Sequence, residues 1–86
     1  MKHTSKEELI ERFRAKFKNK NVIIPEPILV FRDMYAEQTD GHVIGLRYNY
    51  HKKEIQAYVD FWDWKWRNED AYTLKALRQL EKYRYI

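Results

Sequence analysis

The 86 residues carry 17 Lys and Arg against 13 Asp and Glu, no cysteine, and 16% aromatic side chains. A chain of this length is expected to form one domain over residues 1–86 with a single core, and its aromatic content argues against native disorder. The lack of cysteine removes disulfides, thiolate zinc sites and a cysteine nucleophile together and fits a reducing, cytoplasmic setting, while no run approaches the roughly 18 apolar residues of a membrane helix or resembles a secretory leader.

In chain order, the first element is a helix from Thr4 or Ser5 to about Lys18, because Leu9, Ile10, Phe13 and Phe17 fall on one arc at helical spacing. Thr4 with Glu7 and Ser5 with Glu8 are alternative capping boxes, and Lys16, Lys18 and Lys20 complement the opposite pole. Residues 22–31 are apolar but hold Pro25 and Pro27, which cannot donate to a ladder, so a strand starts at Ile28 or lies at a sheet edge. Thr39-Asp40-Gly41 reads as a turn. Two alternating segments follow, His42 to Tyr50 and Glu54 to about Trp64, joined by His51, Lys52 and Lys53 as a hairpin. In that pairing Ile44, Leu46 and Tyr48 share a core face with Ile55, Ala57, Val59 and Phe61. The last segment opens at Asn68-Glu69-Asp70 and runs helically to near the C-terminus, with Leu74, Ala76, Leu77, Leu80 and Tyr83 on its apolar side. The expected fold is α+β in the order helix-strand-strand-strand-helix, with a three-stranded, largely antiparallel sheet and both helices on one of its faces.

Three features bear on function. The hairpin's other face gathers Arg47, Asn49, Gln56, Tyr58 and Trp62, a combination of cation and rings suited to stacking on bases, although antiparallel sheets also carry such mixtures on plain solvated faces. Trp62, Trp64 and Trp66 recur at a spacing of two and form a ridge if the strand continues, which marks a contact surface unless one of the rings turns inward to close the core. Lys75, Arg78 and Lys82 line the second helix opposite its leucines, with Arg12, Lys16 and Lys20 as a similar flank on the first; such stripes track phosphates or simply solvate a helix.

Catalytic and metal-binding patterns are thin. His3, His42 and His51 have irregular spacing, the two glycines Gly41 and Gly45 make no phosphate loop, and Ser5 is explained as a helix cap. The expectation is no enzyme, no cofactor and no metal. The carboxylates Asp40, Glu54, Asp60 and Asp63, with Asp63-Trp64-Lys65, resemble a fragment of the restriction-endonuclease pattern, which would imply magnesium bound between neighbouring strands. The element order resembles the double-stranded RNA-binding domain, but Asn68, Glu69 and Asp70 stand where that family has the basic start of its second helix.

Two expectations remain. One is a nucleic-acid-binding module using Arg47, Asn49, Tyr58, Trp62 and Trp64 together with Lys75, Arg78 and Lys82, consistent with a formal charge of +4. The other is a small inhibitor or adaptor docking on a protein, a nucleic-acid-associated one included, through residues 62–66; in size and composition the chain is similar to phage or mobile-element accessory proteins such as anti-CRISPR proteins. Charge geometry separates them. A continuous basic surface joining Arg47 to Lys75 favours nucleic acid, and an exposed aromatic patch of mixed charge favours protein. Homodimerisation through a sheet edge or the Trp ridge is compatible with both.

Overall fold

The computed structural model describes residues 4–32, 39–60, 65–68 and 70–86. Its elements are α1 (Lys6–Phe17), β1 (Val22–Arg32), β2 (Thr39–Asn49), β3 (Glu54–Val59), β4 (Lys65–Arg67) and α2 (Asp70–Lys82). The strands form one antiparallel sheet in the order β1-β2-β3-β4, so the fold is α+β with four strands rather than the three expected.

Helix α1 begins where its cap predicts. Ser5, in extended conformation, accepts a hydrogen bond from the Glu8 amide at 3.2 Å, and Glu7 and Glu8 occupy the first turn. Leu9 and Phe13 are fully buried, and Phe17 packs its ring 5.0 Å from Phe13. In α2, Thr73, Ala76, Leu77 and Leu80 recur at helical spacing and are also fully buried. The apolar side chains of both helices meet Ile24, Val43, Leu46, Ile55, Ala57 and Val59 in one cluster. Strand alternation puts those sheet residues on a single side, so both helices cover the same face.

The hairpin register pairs Leu46 with Ala57, Arg47 with Gln56, Tyr48 with Ile55 and Asn49 with Glu54. Its turn is held by the Asn49 carboxamide oxygen, which accepts from the amides of His51 and Lys52 at 3.0 Å, and Lys53 takes a positive φ of 55°. One expected core residue is displaced. The register shifts between Val43 and Gly45, inserting one residue into β2, so Val43 enters the core and Ile44 does not. Thr39-Asp40-Gly41 is strand rather than turn, opposing Arg32, Phe31 and Val30 of β1. Tyr83 also departs from the expected core side: α2 ends at Lys82, and Tyr83 is 40% exposed.

Strand β1 is an edge strand that runs through both prolines by leaving the ladder. It pairs through Ile23 with Gly45 and resumes at Ile28 with Val43, so Ile24 to Pro27 form an excursion opposite a single β2 residue. The Gln79 side chain of α2 replaces the lost ladder partner. It accepts from the Glu26 amide and donates to the Glu26 carbonyl, each at 2.9 Å.

Candidate interaction surfaces

The helix-free face of the sheet is built by the residues that alternate with the core. Ile23, Gly45, Tyr58 and Trp66 form one row across all four strands, because each opposes the next in register. Arg47 and Gln56 make the adjoining row. The Arg47 guanidinium lies 4.2 Å from the Trp66 ring centroid, and Trp66 meets Tyr58 edge to face at 4.9 Å. Arg47 Nε also donates to Gln56 Oε1 at 2.9 Å, Asn49 donates to the same oxygen at 3.4 Å, and Gln56 donates to Glu54 at 3.0 Å. Gln56 is therefore a buried but satisfied polar group beneath its neighbours.

Beside this network lies an apolar depression walled by Val22, Ile23, Ile44, Tyr58 and Trp66 around Gly45. Gly45 sets its floor: a Cβ there would approach the Val22 carbonyl oxygen to 3.0 Å, so a larger residue requires β1 to shift by a few tenths of an ångström. Ile23 is 84% exposed, and Leu29, which opposes His42 farther along the same face, is 47% exposed. Carboxylates accompany the basic groups here: Gln56 links Arg47 to Glu54, and His42 Nδ1 lies 3.7 Å from Asp60.

The other candidate cations lie in the helix layer. Lys75, Arg78 and Lys82 line a trough with Gln79 and Tyr83 of the α2 side and Glu26 and Ile28 of β1. Arg78 donates to the Thr4 carbonyl at 3.2 Å. Among the described residues no carboxylate lies at ion-pair distance from these three cations, whereas Arg12 pairs with Glu8 at 2.9 Å and Glu81 at 3.5 Å, and Arg14 with Glu11 at 3.4 Å. The flank expected on α1 is thus partly neutralised. A raised pKa for Tyr83 reflects first its hydroxyl bonding to Glu26, with desolvation second.

The expected site residues consequently divide. Arg47, Asn49 and Tyr58 share the helix-free face, while Lys75, Arg78 and Lys82 belong to the opposite layer; Trp62 and Trp64 lie outside the described residues. Trp66 sits on a separate strand, β4, and not on a continuation of β3. Ile23, Ile44 and Gly45 were missing from the sequence-derived site, and the clue available was a glycine inside an apolar strand. Glu54 opens β3 and Asp60 directly follows its end, so the two lie roughly 20 Å apart at 3.3 Å per residue, too far to share a magnesium ion. Among the described residues no three metal-ligating side chains converge, and no helix is long and apolar enough to cross a membrane.

No family model, curated protein or solved structure matches the chain.

Proposed function

We propose that the chain is a binding module that docks on a protein partner through the helix-free face of its sheet, inserting the partner's apolar side chain beside Gly45. The observation that carries this reading is the exposed apolar and aromatic row, with Ile23 at 84% exposure next to Ile44, Tyr58 and Trp66. A contact centre of rings and aliphatic groups with a polar rim is the composition of protein interfaces. The rim here is Arg47, Asn49 and Glu54.

Charge argues against a polyanion at this face. Nucleic-acid affinity comes largely from Lys and Arg neutralising phosphates. Arg47 is already committed to Trp66 and Gln56, and the carboxylates Glu54 and Asp60 lie close to this face. Arg47 and Lys75 lie in different layers, so these two described cations do not share one face. An inhibitor or adaptor acting in the cytoplasm, without catalysis of its own, falls within this reading.

The test is affinity capture from cells that carry the gene, before and after nuclease treatment, with wild type and Ile23→Lys. Because Ile23 is so exposed, the substitution leaves the core intact. Capture of a protein that survives nuclease and is lost with Ile23→Lys supports the reading. Capture that nuclease abolishes, or that Ile23→Lys leaves unchanged, overturns it.

A further inference from the structure

We infer that the trough between α2 and the β1 excursion is a second contact site, independent of the sheet face, and that its ligand is the phosphate backbone of a nucleic-acid strand. Lys75, Arg78 and Lys82 at i, i+3 and i+7 stand on one side of α2, separated along its axis by roughly 4.5 and 6 Å at 1.5 Å per residue. Stabilisation of a helix C-terminus by cations accounts for Lys82, the one basic residue in the last turn, but not for Lys75 in mid-helix. Nor does local pairing, since no described carboxylate neutralises any of the three.

The opposite wall is fixed. The paired Gln79 hydrogen bonds hold the Glu26 backbone against α2. Glu26 is the one acidic residue among the described residues that line the trough, so the described lining carries three cations against one carboxylate. The Tyr83 ring is 40% exposed, with Lys82 Nζ 5.7 Å from its centroid. Cations beside an exposed ring fit a sugar-phosphate strand, whose bases or sugars can stack there, better than an acidic peptide, which offers charge alone.

Fluorescence anisotropy of labelled single-stranded and duplex oligonucleotides tests this on the full chain. Three phosphate contacts to a single strand predict that a fourfold rise in salt lowers affinity about 20-fold. With Lys75→Ala/Lys82→Ala the same rise lowers it only about 3-fold, and binding at low salt is weaker throughout. Glu26→Gln, which removes the opposing charge, tightens binding. Lys52→Ala/Lys53→Ala, at the hairpin turn, and Ile23→Lys leave it unchanged. Absence of binding at low salt, equal loss in the hairpin-turn variant, or stronger competition by polyglutamate than by unlabelled oligonucleotide would each overturn the proposal. Circular dichroism of every variant confirms that the fold is retained.

Discussion

Replacing Gln79 by Ala tests whether one side chain of α2 stands in for a missing strand. Pro25 and Pro27 leave Glu26 without a ladder partner, and Gln79 supplies both a donor and an acceptor at 2.9 Å. Net hydrogen-bond contributions run about 0.5–1.5 kcal/mol each, and these two are solvent-exposed, so water replaces part of each on loss. Removing both costs about 1–2 kcal/mol, which in a domain of this size lowers Tm by about 5–15 °C. Thermal melts followed by circular dichroism measure the shift. Amide hydrogen exchange localises it, because the Glu26 amide loses protection in the variant while the Leu46 and Ala57 amides keep theirs. Gln79→Glu separates the halves, retaining the acceptor for the Glu26 amide and losing the donor to its carbonyl, and falls between wild type and Ala. A Tm change under about 2 °C with unaltered exchange at Glu26 would refute the bridging role.

Three further outcomes follow from specific contacts. Arg47→Ala removes the cation over Trp66 and one donor to buried Gln56, so urea denaturation shows a loss of about 1–2 kcal/mol, with Arg47→Lys recovering part of it. Gly45→Ala forces a Cβ to 3.0 Å from the Val22 carbonyl oxygen, and the resulting displacement of β1 costs about 1–3 kcal/mol in the same assay. For Tyr83, a pKa raised above 10.0 means that the native state favours the neutral phenol, so its contribution is present below pH 10.0 and lost as pH rises through the folded value. The stability difference between wild type and Tyr83→Phe is therefore constant through neutral pH and vanishes in strong alkali; a difference that grows with pH would contradict the Glu26 bond.

Much of the helix-backed half of the molecule was legible in the sequence. Leu9 and Phe13 announce their helix by spacing, Ser5 by capping chemistry, and Leu46, Ile55, Ala57 and Val59 by alternation. The phase of β2 was not legible where it mattered. Val43 and Ile44 are adjacent and both apolar, so a period of two fits either one inward, and the inserted residue that settles the choice depends on pairing with β3. Strand β4 is three residues long, too short to display a period. The path of β1 was recognisable as interrupted, but its rescue by Gln79, 53 residues away, depends on tertiary contact. Thr39-Asp40-Gly41 has the composition of a turn, yet the backbone there pairs with β1, and long-range pairing overrides local preference.

The two proposed surfaces are separated by the fold itself. Alternation sends Arg47 away from the helices for the same reason that it sends Leu46 toward them, and the leucines of α2 hold Lys75, Arg78 and Lys82 on the far layer. The molecule measures 19 Å across its shortest axis, so a small rigid ligand cannot occupy both sites, whereas a protein already carrying nucleic acid can. Joined in that way, the second contact becomes intramolecular and multiplies the affinity of the first. Ile23→Lys and Lys75→Ala/Lys82→Ala share no partner, so their free-energy effects on such a nucleoprotein add within about 0.5 kcal/mol. Isothermal titration of the captured complex with the single-site and combined variants measures this. A combined loss no larger than either alone would mean that one surface, not two, carries the binding.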